Sequence, residues 1–389
     1  CHPLLHSILS EESDKPEMIT LPEYPTFKSS YEDITSMNKE QQETFFLQKD
    51  EKDHDHRFDL KEYPLFYCNI YKTGEDEHEL IIHIDHQIID GFSFFQFRQE
   101  LTSTYDQFIA GKEITVEQEK GLTFSDYVFV ERFRRQTKRY QNAMDFALKV
   151  FKDLPEKISI PSKCQPSLIN KVHFNTLHTE LDSLLMNKVL EISSHTSGIC
   201  LNSLLMACYF KLMNLWSGQN DLIINMPVFN REQHLPNAKN IIGSFLDIFP
   251  VRIQTSPQEP IVSIARKIEQ FVRTMLEYPI SSIELSRKIA EQEGLKQSSL
   301  SAIIFSNSIN MLPKGISHSS RYLTIGAPKV QTGAPGTYID LVMYTWENKW
   351  CFDWNYVREL FDAEYIQLLS EQFTSMLNQL VDDTNTKGY

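Results

Sequence analysis

Basic residues are too few in this sequence for a protein whose main partner is a polyanion. The 389 residues include 38 Lys and Arg against 52 Asp and Glu, which gives a formal net charge of −14. The summed field of such a chain repels nucleic acid and anionic membranes. The composition therefore excludes both as the main partner. Binding of an acidic partner would require a local cluster of basic residues.

Cysteine is also scarce. The six cysteines show neither close pairing nor the spacing of metal ligands: Cys1, Cys68, Cys164, Cys200, Cys208 and Cys351. That pattern predicts reduced thiols rather than a disulfide framework. We therefore predict a cytoplasmic location.

No apolar run in the sequence is long enough to span a bilayer. The longest, LNSLLMACYFKLMNLW at 201–216, is interrupted by Lys211 and two asparagines, so it predicts a buried helix. No signal peptide is recognisable, and the chain opens on Cys1 rather than Met. We expect no membrane association and expect the chain to be a piece of a longer protein.

The chain has the length and apolar content of a two-lobed globular protein. Hydrophobic residues make up 41% of it, and 389 residues exceed the size at which a single core stops growing. Helix-like and strand-like segments alternate in mixed order, which predicts α+β lobes with mixed sheets. The stretch KDLPEKISIPSK at 152–163 is the best candidate for a linker. We predict an N-terminal lobe over 1–160 and a C-terminal lobe over 161–389.

Hydrophobic periodicity predicts the main helices and strands. We expect strands over 79–84, 173–182 and 221–229, and helices over 91–109, 123–151, from Ser183, from Leu201, and over 363–381. The helix over 123–151 is expected to be continuous and to be capped by Ser125 or Asp126.

The stretch IIHIDHQIIDGFSFF, at 81–95, places a histidine and two acids just before a turn. A histidine at a strand end can be held rigidly towards a cleft, and it exchanges its proton near neutral pH, which suits proton transfer. Asp90 can fix the turn through backbone N–H groups or an arginine, whereas Asp85 would point to the opposite face of a persisting strand. A surface histidine in an Asp-rich turn remains an alternative. A metal site at His83, Asp85 and His86 lacks an obvious further ligand cluster.

The segment DHQIIDGFS, at 85–93, resembles the H-H-x-x-x-D-G motif of the condensation superfamily of nonribosomal peptide synthetases. His86, Asp90 and Gly91 match that motif, and its first histidine is Asp85 here. The heterocyclization branch of the superfamily has D-x-x-x-x-D-x-x-S instead, which Asp85, Asp90 and Ser93 fit. The chain is thus closest in pattern to that branch, with the histidine retained.

The resemblance extends in order along nearly the whole chain, through HPLLHSIL, YPLF, TFSDYVFVE, LWSGQNDLIINMPVFNRE, IIGSFLDIFPVRI and WNYVRELFD. It implies two chloramphenicol-acetyltransferase-like lobes in a V-shaped pseudo-dimer with a tunnel between them. The family's opening strand and helix are expected to be missing ahead of Cys1.

Two departures concern ring closure in the heterocyclization branch. Where that branch has G-D-F-T, this sequence has Gly243, Ser244, Phe245 and Leu246. Ser306 stands at the place of a threonine implicated in ring closure and dehydration, and Asp340 at the place of an aspartate. A serine keeps the hydroxyl, but ordinary condensation domains also have the aspartate, so Asp340 does not discriminate.

A basic run, ERFRRQTKRYQ at 131–141, stands out in an acidic chain. We expect Arg132, Arg135 and Arg139 to lie on one helix. They are candidates for docking an acidic carrier protein or its phosphopantetheine phosphate, and a solvated helix face is the alternative.

The resemblance implies amide formation between a carrier-bound acyl or peptidyl donor and the amine of a carrier-bound aminoacyl acceptor. His86 would orient or deprotonate the amine, and Asp90 would hold the loop. No permanently bound cofactor is implied, because carrier proteins deliver the phosphopantetheine arms, and neighbouring adenylation and carrier domains are the expected partners. Heterocyclization, a catalytically silent recruiting domain and a free-standing acyltransferase remain alternatives. The sequence does not identify the donor or the acceptor.

Overall fold

The computed structural model of the protein describes residues 2–11, 16–54, 56–114, 121–229, 231, 235, 238–277, 279–294, 296, 299–309 and 336–387. The contacts divide the chain into two compact units. The first contains the described residues of 1–134 and 229–246, and the second contains those of 135–228 together with most of 247–389. The division near residue 160 stays a prediction, whereas these contacts group residues 135–160 with the second unit.

The first unit combines two small sheets with three long helices. The strands are β1 Ser7–Ser10, β2 Glu17–Thr20, β3 Ser30–Asp33, β4 Phe66–Lys72 and β5 His78–Ile84, and the helices are α1 Lys39–His54, α2 Gly91–Ile109 and α3 Phe124–Arg134. β1 and β2 form an antiparallel ribbon, whereas β3 runs parallel and β5 antiparallel to the central β4. Helix α1 packs on this sheet, with the edges of Phe45 and Phe46 against the ring of Tyr71.

The second unit is a six-stranded sheet with helices. Its strands are β6 Phe174–Glu180, β7 Asp221–Phe229, β8 Leu246–Gln254, β9 Ile303–Asn307, β10 Ile339–Trp346 and β11 Lys349–Val357, in the order β6-β11-β10-β9-β7-β8. Its helices are α4 Lys138–Val150, α5 Ser183–His195, α6 Leu201–Ser217, α7 Ile261–Leu276, α8 Ser282–Glu293 and α9 Ala363–Lys387. Short 3₁₀ turns at Pro3–His6, Pro166–Leu168 and Ala238–Asn240 complete the regular structure.

The two faces of this sheet differ in polarity because side chains alternate along each strand. Phe352 and Trp354 of β11 pack against Phe373 of α9 and belong to the main hydrophobic core. Asp353 and Asn355, at the alternate positions, therefore lie on the opposite face. That polar face also carries Asp340, opposite Asn355 in the register of β10 and β11, and His178, opposite Asp353 in the register of β11 and β6.

The prediction of α+β structure is confirmed, and so is the buried helix from Leu201. Every residue of α6 from Ser203 to Asn214 is buried, and the ammonium of Lys211 donates to the carbonyl of Glu259 at 2.8 Å. Gly218 ends this helix in the left-handed conformation (φ 68°), which glycine adopts without strain.

The prediction of one long helix over 123–151 is wrong. The chain forms α3 and α4 with a break at residues 135–137, and the Thr137 hydroxyl accepts from the N–H of Tyr140 to start the second helix. Threonine favours the start of a helix because its hydroxyl can accept from a backbone N–H of the first turn, which has no partner within the helix. Thr123 likewise precedes α3, and its hydroxyl accepts from the N–H of Asp126 at 3.4 Å. The Asp126 carboxylate accepts in return from the N–H and the hydroxyl of Thr123.

Two further findings concern the scarce features of the sequence. The cysteines that the structure describes, Cys68, Cys164, Cys200, Cys208 and Cys351, are free thiols. No helix in the described ranges is both long and apolar enough to cross a membrane.

Candidate functional site

The motif at 85–93 forms a strand end, a tight turn and a helix start. β5 ends at Ile84, and the carboxylate of Asp85 accepts from the N–H of Gln87 at 2.8 Å. The N–H of Ile88 donates to the carbonyl of Asp85 at 3.2 Å, which closes the turn. Because the strand does not persist to Asp85, this side chain caps the turn instead of pointing to the opposite face of the sheet.

His86 lies in this turn with an exposed side chain. No hydrogen bond of its ring to another described residue is found. The turn therefore fixes the backbone of His86, and the side chain is exposed enough for a ligand to reach it.

Asp90 is the N-cap of α2 and is buried, with 1% of its surface exposed. One carboxylate oxygen accepts from the N–H of Ser93 at 2.7 Å and from the guanidinium of Arg231 at 2.6 Å. The other accepts from the N–H of Phe245 at 3.0 Å. The sequence allowed either backbone N–H groups or an arginine to hold this acid, and the structure shows both.

Ser93 connects the helix start to residue 243. Its hydroxyl donates to the carbonyl of Gly243 at 2.7 Å and accepts from the N–H of Gly243 at 2.9 Å and from Arg231. The N–H of Asp90 donates to the same carbonyl at 3.1 Å. We call Asp90, Ser93, Arg231 and the backbone of Gly243 and Phe245 the buried network.

Arg231 is the cation of the buried network. Its second terminal nitrogen donates to the carbonyl of Ile241 at 2.7 Å, and the guanidinium carbon lies 4.6 Å from the ring centre of Phe92 and 4.3 Å from that of Phe245. Burial lowers the pKa of Arg231, and the charge of Asp90 opposes that shift. The letters F-N-R at 229–231 belong to one of the stretches that carry the family resemblance, but the sequence analysis assigned no role to Arg231.

The described residues between 235 and 245 pack against α3 in a small apolar cluster. Leu235, Ala238, Ile241 and Phe245 form its buried part, and Phe124 and Tyr127 pack against it. A Cβ atom on Gly243 would lie 2.4 Å from the Phe124 ring, which is closer than real Cβ contacts come. A side chain at residue 243 would therefore have to displace the Phe124 ring, which the sequence analysis did not predict.

Ser306 and Asp340 meet in the second unit. They lie on the parallel strands β9 and β10, and the Ser306 hydroxyl donates to the Asp340 carboxylate at 2.8 Å. Asp340 is 6% exposed. His86, Asp85, Asp90, Gly91 and Ser93 lie in the first unit. The functional roles assigned to all of these residues stay predictions.

The three arginines predicted to share a helix do not share one. Arg132 is on α3 and pairs with Glu17 at 3.6 Å, Arg135 is in the break between the helices and pairs with Glu284 at 2.7 Å, and Arg139 is on α4. The helix break explains the difference. All three side chains are exposed, so a docking role stays a prediction.

Comparison with known proteins adds a family match. A model of the family described as "Condensation domain" matches residues 1–388. Bacitracin synthase 1 of Bacillus licheniformis is 24% identical over 391 residues, which cover 99% of this chain and 7% of that synthase. Pyochelin synthetase PchF of Pseudomonas aeruginosa (strain UCBPP-PA14) is 24% identical over 214 residues, covering 54% of this chain and 12% of the synthetase. The chain thus spans a small part of the length of these curated relatives.

Solved structures share the fold at low identity. The cyclization-docking bidomain of EpoB from Sorangium cellulosum has a TM-score of 0.80 at 18% identity and covers 98% of this chain and 75% of its own. The epimerization domain from the third module of tyrocidine synthetase B has a TM-score of 0.80 at 17% identity, covering 100% and 87%. The X-domain from teicoplanin biosynthesis has a TM-score of 0.79 at 17% identity, and the match covers 98% of this chain and 84% of the X-domain chain. The predicted chloramphenicol-acetyltransferase-like fold class is confirmed, but domains with different names share it.

Proposed function

This chain belongs to the condensation-domain family, and the relatives found for it are nonribosomal peptide synthetases. We propose that it joins a carrier-bound acyl or peptidyl thioester to the amine of a carrier-bound aminoacyl group. The observation that carries this proposal is the buried network around Asp90 and Ser93, which holds the turn while the His86 ring stays exposed. A rigid backbone with an available imidazole suits the orientation of a nucleophile.

The reaction needs one proton acceptor close to the amine. The amine nitrogen attacks the thioester carbonyl carbon, the new C–N bond forms, and the C–S bond breaks after a tetrahedral intermediate. His86 accepts a hydrogen bond or the proton from the attacking amine, and the leaving sulfur takes up a proton. Asp90 does not touch the reacting atoms in this scheme. It fixes the turn together with Gly91, Ser93 and Arg231.

Carrier proteins are the partners that this reaction requires. They deliver both substrates on phosphopantetheine arms, so the domain itself needs no resident cofactor and works beside carrier and adenylation domains in the cytoplasm. Arg132, Arg135 and Arg139 remain candidates for docking an acidic carrier or the phosphate of its arm. The exposed ion pair of Arg132 with Glu17 does not prevent this, because exposed pairs contribute little and exchange readily.

The test is intact-protein mass spectrometry of an acceptor carrier loaded with cysteine or serine. It is mixed with an acyl-loaded donor carrier and the complete domain, wild type or His86→Ala. We expect a product heavier by the acyl group, formed about 10²- to 10⁴-fold more slowly by the variant. His78→Ala, at an exposed histidine of β5, is the matched control and should not change the rate. Equal rates for wild type and His86→Ala would contradict the role of His86.

Heterocyclization is the second candidate function, and the Ser306–Asp340 hydrogen bond favours it. Ring formation requires the acceptor side chain to attack the new amide carbonyl and one water to leave. A hydroxyl and a carboxylate in contact supply the groups for those proton transfers. In the same assay, a further loss of one water from the product would support this function, and Ser306→Ala and Asp340→Asn should stop that loss.

A recruiting role without catalysis belongs to a different class of function. The fold permits it, because a structure of the teicoplanin X-domain in complex with OxyB has a TM-score of 0.76 to this chain. Absence of acyl transfer with every loaded pair, combined with retained binding of a carrier, would favour this role and contradict condensation.

A further inference from the structure

One group of side chains on the polar face of the second unit lies outside the condensation chemistry. Ligand atoms of His178, Glu180 and Cys351 lie within 4.8 Å of one another. β6 and β11 are antiparallel, and their register places Glu180 opposite Cys351 and His178 opposite Asp353. Four side chains able to bind a metal therefore occupy two neighbouring rows on one face of the sheet. We call these four residues the strand cluster.

The donor types in the strand cluster suit a borderline transition metal. An imidazole nitrogen, a cysteine sulfur and carboxylate oxygens are the ligands that Zn²⁺ prefers, with bond lengths of about 2.0–2.3 Å. Such bonds put tetrahedral ligand atoms roughly 3.5 Å apart, so the present atoms, all within 4.8 Å of one another, have to close by at most roughly 1.3 Å. Cys351 is buried, so that adjustment falls to the side chains of His178 and Glu180, which are 49% and 45% exposed.

Asp353 supports the histidine from the same row of the sheet, and Tyr344 lies on the next strand, opposite Cys351. Nδ1 of His178 is 2.6 Å from a carboxylate oxygen of Asp353, which is only 11% exposed. A histidine that binds a metal usually donates its other ring N–H to a carboxylate, which fixes the ring. The hydroxyl of Tyr344 hydrogen-bonds the Asp353 carboxylate, which helps to hold that carboxylate in place.

In the strand cluster, the ammonium of Lys349 occupies a position beside Glu180 that a metal ion could take. Its ammonium donates to the carboxylate of Glu180 at 2.6 Å, and both side chains are about half exposed. An exposed pair of this kind contributes little, so a divalent ion with three or four ligands can displace the ammonium. The position already attracts positive charge.

We propose that His178, Glu180 and Cys351 bind a divalent transition-metal ion of the zinc class, with Asp353 orienting the His178 ring. The ion replaces the ammonium of Lys349 at Glu180. The Cys351 thiol loses its proton to solvent on binding, and the metal–sulfur bond takes its place. The bound ion crosslinks β6 and β11.

The test uses Co²⁺ as a spectroscopic substitute for Zn²⁺ on the full chain under reducing conditions. We expect a thiolate-to-cobalt charge-transfer band that saturates at one equivalent and disappears when Zn²⁺ is added. Cys351→Ser should abolish the band, whereas Cys200→Ser, at an exposed thiol outside the strand cluster, should leave it unchanged. A wild-type chain without the band, or a band that survives Cys351→Ser, would overturn the proposal.

Two further variants keep the test valid if Cys351→Ser folds poorly. Asp353→Asn should weaken Co²⁺ binding by about 10- to 100-fold, because the His178 ring loses its orienting carboxylate. Lys349→Met should tighten binding by about two- to fivefold, because the competing ammonium is gone. Opposite signs for the two variants are the expected result, and weaker binding by Lys349→Met contradicts a site at Glu180.

Discussion

The buried network of the first unit and the strand cluster of the second unit use similar groups in different surroundings. In the buried network, Asp90, Ser93 and Arg231 are 1%, 0% and 6% exposed, and each carboxylate oxygen of Asp90 has a partner. In the strand cluster, His178 and Glu180 are about half exposed, whereas Asp353 and Cys351 are buried. Burial makes the buried network rigid and intolerant of the loss of one member, whereas His178 and Glu180 are exposed enough to exchange partners.

Removing the cation of the buried network should have the largest effect. Arg231→Met leaves the Asp90 carboxylate buried without its charged partner, so we expect the free energy of unfolding to fall by about 3–5 kcal/mol. Urea unfolding measures this. Arg132→Met removes an exposed arginine from its pair with Glu17 and should cost about 0–1 kcal/mol.

A double variant separates the unpaired charge from lost packing. Asp90→Asn combined with Arg231→Met leaves no buried charge and should recover part of the stability lost in Arg231→Met. If Arg231→Met and Arg132→Met cost the same, the comparison between buried and exposed pairs fails.

Asp247 sharpens the comparison because it is a half-buried acid, whereas Asp90 is fully buried and paired with Arg231. Burial raises the pKa of Asp247 to about 6 from an ordinary 3.8. The N–H of Ile248 is the strongest cause that opposes the shift, the charge of Glu284 adds to it, and Ser281 and Arg135 oppose it more weakly. A raised folded-state pKa means that the folded state binds the proton more tightly. Stability therefore falls as pH rises from about 4 to about 6, and the full cost is present above pH 6.

Asp247→Asn should remove that cost, because asparagine carries no charge. We expect the variant to be more stable than wild type by up to about 3 kcal/mol at pH 8 and equal to it at pH 4. Urea unfolding across this pH range measures the difference. A stability difference that does not change with pH would contradict the raised pKa of Asp247.

Gly243→Ala tests the close approach of residue 243 to the Phe124 ring, which places the backbone of Gly243 in the buried network. Its Cβ would meet the Phe124 ring at 2.4 Å, so we expect a loss of about 1–3 kcal/mol from overpacking. Gly91→Ala is the matched control, because a Cβ there meets nothing within 4 Å and alanine favours a helix start. Thermal unfolding of both variants checks the pair, and a neutral Gly243→Ala would show that Phe124 moves without cost.

Glu180→Gln should have the smallest effect on stability. Its carboxylate is exposed, and within the described part of the chain its ion pair is with Lys349, so loss of that pair in metal-free buffer should leave the urea midpoint unchanged. A clear loss of stability would show that the strand cluster is as rigid as the buried network.

Local sequence signals located the elements that carry the motif. Alternating and helical periodicities predicted the strand near 79–84 and the helix over 91–109, and the structure places β5 and α2 there. Asp90 before Gly91 is also a local signal, since an aspartate commonly caps a helix. The continuous helix over 123–151 failed because Thr137 caps a second helix, and periodicity alone does not register a competing side-chain bond.

The sequence by itself determined the family resemblance, the strand-turn-helix at 84–93 and the position of His86 in its turn, because these depend on residues within a few positions of one another. Only the tertiary structure decided that Arg231 reaches Asp90 across 141 positions and that Gly243 admits the ring of Phe124. It also decided that Cys351 lies beside Glu180 and His178, which the cysteine spacing gave no sign of. Those contacts arise from strand register and close packing between distant segments, and neither leaves a periodic pattern in the chain.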